Sequence, residues 1–233
     1  MVLPGAGRAL REGMHLTYLG GREHPDQLPL DRIVSQVLPA ACLERSGFLG
    51  GSLHASQGAL HLELGKSNNA HHGPRVPWTE ITIALPTQGL EVDVVTELRR
   101  RSFQRPIRVA GEHLVCGGPR TRIERIFEPA LLEAITVLGR RLSALEIRDD
   151  RLLLRVNGWP ADAQSLWFAL DLAQRLAARV QDACPDLSDA ELVAYRAGRA
   201  QSARVGKLLL LGVLGATIPS ALAMVALMTA YMR

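Results

Sequence analysis

The chain has 233 residues, 27 basic against 23 acidic side chains and a formal net charge of +4. Its bases are almost all arginine, Lys66 and Lys207 being the two lysines. With abundant Ala, Gly and Leu, that reads as the bias of a GC-rich bacterial genome. Aromatics make up 4% of the chain and are not interleaved with the bases, so the stacking platform of a nucleic-acid binder is missing. Cys42, Cys116 and Cys184 are odd in number and far apart, which argues against a disulfide framework and for a reducing compartment.

Residues 1–27 are rich in Gly and Arg and show no sustained period, so they read as loosely ordered. They lack the apolar stretch of a secretory signal. Residues 30–45 place Leu30, Ile33, Val34, Val37, Leu38 and Ala41 on one helical face, with Pro39 predicting a kink or two short helices. Residues 51–65 alternate apolar and polar around a predicted turn at Gln57-Gly58. That register pairs Ala55 with Leu60, His54 with His61 and Leu53 with Leu62, and gives a core face of Leu53, Ala55, Leu60, Leu62 and Leu64. A polar loop over 66–77 follows. Two further strands, Glu80–Leu85 and Leu90–Val95, are joined around Pro86 and Gly89. Leu98–Pro106 is a basic connector containing Arg99, Arg100 and Arg101, read as a solvated charge run.

In the second half, strands are expected at Ile107–Ala110 and His113–Cys116. Pro129 opens a helix whose stripe is Leu131, Leu132, Ile135, Leu138 and Leu142. A second hairpin over 144–158 turns at Asp149-Asp150, which pairs Ile147 with Leu152 and Leu145 with Leu154. A helix over about 161–183, capped by Asp162, buries Leu166, Leu170, Ala173, Ala177 and Val180 and stops at Pro185. Laid turn on turn, the two hairpins match Leu53, Ala55, Leu60, Leu62 and Leu64 to Leu145, Ile147, Leu152, Leu154 and Val156. The predicted fold is therefore α+β: two related helix/β-hairpin halves, about 28–106 and 107–185, forming an antiparallel sheet packed by helices.

Residues 188–191 resemble a capping box, opening a basic juxtamembrane helix over 186–207 with Arg196, Arg199, Arg204 and Lys207. Residues 208–232 then carry no charge over 25 positions, enough to cross a hydrocarbon core of ~30 Å. This reads as one C-terminal transmembrane helix, a tail anchor. Four cations before the span and Arg233 after it place the preceding domain in the cytoplasm of a bacterial inner membrane. Gly212, Ala216 and Ser220 form a small-residue stripe that suits helix–helix packing and a homodimer. Pro219 bends the span.

All seven histidines lie before residue 114. Predicted on the polar face of the first hairpin, His54, His61 and Glu63 are the candidate metal ligands, two of the three or four that a zinc-type site needs being imidazoles. His113 and Cys116 form a lone HxxC, and that spacing does not aim the ring at the sulfur. The sequence carries no phosphate loop, dinucleotide fingerprint or nucleophile elbow, so neither a cofactor nor a catalytic residue is implied.

The run from Phe127 through Ala183, with Ile147-Arg-Asp-Asp-Arg-Leu-Leu-Leu-Arg-Val-Asn-Gly158 at its centre, resembles uncharacterised single-pass membrane-associated proteins of GC-rich bacteria, myxobacteria among them. That resemblance implies no activity. The α–β–β–β order also resembles type III secretion chaperone-like α+β folds, an analogy of fold alone. The expected function is that of a non-enzymatic adaptor, in which the anchor localises the domain and the domain binds a protein partner. The alternatives are a metal-binding or metal-sensing domain and a membrane-active oligomer assembled through its span.

Overall fold

The computed structural model describes residues 16–19, 29–46, 52–66, 76–100 and 106–183. The chain separates into two units, 1–187 and 188–233, and all described residues belong to the first. The juxtamembrane cations, the 208–232 span and its Gly212, Ala216 and Ser220 stripe lie outside the described residues, as do His15, His24, His71, His72 and Cys184. Among the described residues no helix is long and apolar enough to cross a membrane.

In chain order the strands are β1 (Tyr18–Leu19), β2 (Cys42–Ser46), β3 (Ser52–Gln57), β4 (Leu60–Lys66), β5 (Pro77–Ala84), β6 (Glu91–Thr96), β7 (Pro106–Ala110), β8 (His113–Gly118), β9 (Leu142–Arg148), β10 (Arg151–Asn157) and β11 (Trp159–Pro160). The helices are α1 (Leu30–Val37), α2 (Arg120–Ile126), α3 (Pro129–Leu138) and α4 (Ala163–Ala183). Strands β2 to β10 form one nine-stranded sheet in the order β2-β3-β4-β5-β10-β9-β6-β8-β7, while β1 pairs with β11. Every pairing in both sheets is antiparallel.

The alternation read in the strands sets the two faces of this sheet, because successive side chains point to opposite sides. Along β5 and β10 buried residues alternate with half-exposed ones. Leu62, Ile81, Leu154, Leu145 and Val94 form a buried row across β4, β5, β10, β9 and β6. Leu166, Leu170, Ala173, Ala177 and Val180 of α4 join that row in one core. Asp162 caps α4 as expected, its Oδ1 accepting the Ser165 N–H at 2.7 Å. The other face of the sheet is polar and half-exposed.

Three expectations are corrected. Helix α1 stops at Val37 rather than running to residue 45, and Cys42–Ser46 is a strand; Pro39 excludes its predecessor from helical backbone and ends the helix. Leu142 belongs to β9, because the chain leaves α3 at Gly139, which takes φ +51°. The first hairpin turns at Gly58-Ala59, so Gln57 pairs with Leu60, Ala55 with Leu62 and His54 with Glu63. Gly58 supplies the turn's left-handed residue at φ +60°. The core face survives this shift, since each pairing moves by an even number of positions. The residue-by-residue match of the two hairpins does not: turn on turn, Leu53 and Ala55 now fall on Ala144 and Glu146.

The second hairpin has the expected register, with Ile147 opposite Leu152 and Leu145 opposite Leu154. It lies between β5 and β6, two strands consecutive in sequence, for β10 pairs with β5 and β9 with β6. The β5–β6 connection therefore passes over the tip of this hairpin. There the Asp150 carbonyl accepts the Leu85 N–H at 3.0 Å. The Asp150 carboxylate accepts the Thr87 N–H at 2.9 Å and its O–H at 3.1 Å. Arg122 of α2, a helix absent from the sequence reading, is buried and reaches the Thr87 carbonyl at 3.3 Å.

Candidate functional site

The polar face of the sheet presents the residues picked out as metal ligands. His54 sits mid-strand on β3 and His61 and Glu63 on β4, two positions apart and so on one face. Their ligand atoms all lie within 4.8 Å of one another. The His54 and His61 rings stack with centroids 5.6 Å apart and planes 27° apart. Glu63 is opposite His54, with Oε1 4.0 Å from Nε2, so the two histidines meet diagonally rather than directly across as the predicted turn required. The Ser46 hydroxyl lies 2.8 Å from His54 Nε2.

Neighbouring strands extend this row. Glu44 of β2 is the cross-strand partner of His54, and Glu80 of β5 that of Glu63. Two carboxylates directly opposite each other repel. Glu80 is compensated by Arg155, which is opposite it on β10 and donates to it from Nε at 2.7 Å; the Arg155 guanidinium also stacks on Trp78 at 5.0 Å. Glu63 has no such arginine among the described residues, only His54 at 4.0 Å. The site thus combines two imidazoles with a carboxylate, donor types that a transition-metal site uses, while Arg155 offsets the charge of the neighbouring Glu80. Neither Glu44 nor Glu80 is visible in the sequence pattern of the first hairpin, because sheet order alone brings them here.

A second cross-strand carboxylate pair, Asp93 and Glu146, is opposite in the β6–β9 ladder. Arg148 contacts Glu146 and lies 4.0 Å from Asp93. Its hydrogen bond to Glu146 holds its pKa above the usual arginine value. Arg148 thus offsets part of the charge of this pair.

The HxxC pair does not form a dyad. Three positions apart on one strand, His113 and Cys116 project to opposite faces. His113 lies on the face of Val115 and Val94, and Cys116 beside Asp93. Burial pushes the Cys116 thiol above its ordinary pKa, opposed by Arg100, the reverse of what a nucleophilic cysteine needs.

No family model matches the sequence, and no curated protein matches it. Among solved structures, one similar chain is the mycobacterial trehalose monomycolate transport factor A, TtfA. It is 10% identical, with 78% of this chain and 97% of that chain covered, at a TM-score of 0.39. A likeness at that level carries no argument about function.

Proposed function

We propose that the chain is a single-pass membrane protein of the bacterial inner membrane whose α+β domain is a non-enzymatic binding module for a protein partner. The observation that carries this reading is the charge-free run 208–232, preceded by Arg196, Arg199, Arg204 and Lys207. A span of that length suits a bilayer core, and the charge asymmetry orients the domain toward the cytoplasm. The Gly212, Ala216 and Ser220 stripe offers a contact for a second copy in the membrane. The reading includes two related halves, each with a helix ahead of a hairpin, α1 before β3–β4 and α3 before β9–β10, with β2 intervening in the first. Membranes from expressing cells test the anchor. The full chain is expected to stay in the pellet on alkaline carbonate extraction, and a chain lacking 208–232 to be released. Extraction of the full chain would end the reading. Protease added to intact spheroplasts should leave the domain uncut.

The convergence of His54, His61 and Glu63 within 4.8 Å favours a second reading, in which the domain binds a divalent transition-metal ion. Two histidines and a glutamate form a known zinc donor set with one position left open. The check is zinc titration of the metal-free full chain against a chromophoric chelator. One equivalent should bind, and His54→Ala or Glu63→Gln should weaken it at least tenfold. Wild-type affinity in both variants would remove the metal from these residues.

A further inference from the structure

The polar face of the sheet carries an uneven charge around the histidine cluster. Glu44, His54, Glu63, Glu80 and Arg155 stand opposite one another in a single row across β2, β3, β4, β5 and β10. Three carboxylates and one arginine leave this row two negative charges in excess when His54 is neutral. Arg155 is spent on Glu80, to which its Nε donates at 2.7 Å. The excess therefore sits on Glu44 and Glu63, the carboxylates on either side of His54.

Neither of these two forms an ion pair with an arginine or lysine among the described residues. The adjoining row, Cys42, Ser56, His61, Thr82 and Leu153, holds no such base. Arg45 follows Glu44 in β2, but successive side chains of a strand point to opposite faces, and Arg45 pairs with Asp31 at 2.8 Å. Two unpaired negative charges flanking an imidazole, with a second imidazole stacked on it at 5.6 Å, match the charge and the donor types that a divalent transition-metal ion takes.

We infer that Glu44 is the fourth ligand of a divalent metal ion, closing the position that His54, His61 and Glu63 leave open. The inference rests on the metal reading given above. Glu44 is the cross-strand partner of His54, so their Cβ atoms are about 5 Å apart. Its carboxylate stands outside the group whose ligand atoms lie within 4.8 Å of one another, and it swings inward to bind. The side chain is exposed, and its carboxylate has no partner among the described residues, so the swing breaks no contact. Two imidazoles and two carboxylates make a neutral site around the ion, closed in the manner of a structural rather than a catalytic centre. The ion then ties β2, which has β3 as its one neighbour in the sheet, to β4 as well.

The test titrates the metal-free full chain in lipid nanodiscs with cobalt(II), whose visible absorption reports coordination number, and uses azide as the probe of an open position. The wild-type chain should bind one equivalent with the intense absorption of a four-coordinate ion, unchanged by azide. Glu44→Ala, at an exposed position, should bind cobalt at least tenfold more weakly, and azide should then shift its spectrum. Weaker binding without a response to azide would mean that the carboxylate acts by its charge alone, and overturns the assignment. If His54→Ala abolishes binding but Glu44→Ala keeps wild-type affinity, or azide shifts the wild-type spectrum, Glu44 is not a ligand and the three-residue site stands. If the wild-type chain binds no cobalt, or His54→Ala binds it equally well, the metal reading fails and the fourth ligand with it.

Discussion

Glycine substitutions at the two aspartates of the β9–β10 turn separate backbone strain from a side-chain clamp. Asp149 and Asp150 have nearly the same left-handed backbone, φ +51° and +53°. Replacing either by glycine therefore relieves about the same strain, on the order of 1 kcal/mol. The carboxylates differ. Asp150 accepts the Thr87 N–H at 2.9 Å and its O–H at 3.1 Å, and Thr87 is 2% exposed. Asp150→Gly leaves the buried Thr87 N–H without its acceptor, at a cost of roughly 1–3 kcal/mol. Taking the difference between the two variants cancels the backbone term and leaves the clamp. Asp149→Gly should thus be neutral to stabilising, with Asp150→Gly less stable than it by roughly 1–3 kcal/mol. For a unit of this size that separates their Tm values by roughly 2–12 °C. Tryptophan fluorescence of the detergent-solubilised chain reads it, since Trp78 lies on β5 and Trp159 is buried in the same core. Asp150→Asn keeps one acceptor oxygen and should recover most of the loss. Equal Tm values for the two glycine variants would refute the side-chain clamp.

Further outcomes follow from the same packing. Gly117 takes φ +137°, and a Cβ there would lie 2.0 Å from the Glu91 carbonyl oxygen; Gly117→Ala should break the β6–β8 ladder and cost roughly 3 kcal/mol or more, seen as loss of folded yield or a large drop in Tm. Leu154 is fully buried at the sheet centre, so Leu154→Ala should cost about 2–5 kcal/mol in the same melt. Cys42 is exposed and Cys116 buried with a raised pKa; at pH 8 iodoacetamide should modify Cys42 in the folded chain and Cys116 only after unfolding, mapped by peptide mass spectrometry. Burial raises the pKa of Tyr18 as well. Above about pH 8.5 the unfolded chain releases protons from this thiol and phenol that the folded chain retains, so stability should fall with rising pH through the alkaline range. Melts at pH 7.5 and 10 check this, and Cys116→Ala should flatten part of the slope.

Local order was readable where one period governs a segment. The alternation over 144–156 set both the face and the register of β9–β10, because two aspartates that tolerate left-handed backbone mark the turn unambiguously. The same reasoning put the first-hairpin turn one residue early. Gln57-Gly58 and Gly58-Ala59 both place a glycine in the turn and bury the same leucines, so pattern alone does not choose between them. That shift moved His54 from His61 to Glu63, yet kept His54, His61 and Glu63 on one face, since a face depends on parity and not on the exact partner. Helix α2 carries no readable period, because its seven residues, Arg120, Arg122 and Arg125 among them, are too few to show one.

By itself the sequence determined the α+β class, the buried faces of the β3–β4 and β9–β10 hairpins, the α4 cap at Asp162 and the charge-free run at 208–232. All of these are local: they depend on residues within a turn or two of each other. Tertiary structure alone decided that β9–β10 would insert between β5 and β6 and that Glu80 and Glu44 would flank the histidine cluster. The insertion pairs segments more than 50 residues apart, through contacts that leave no spacing in the chain to read. The choice between orders is made by how well the whole buried face closes on α4, a property of the assembled core rather than of any segment.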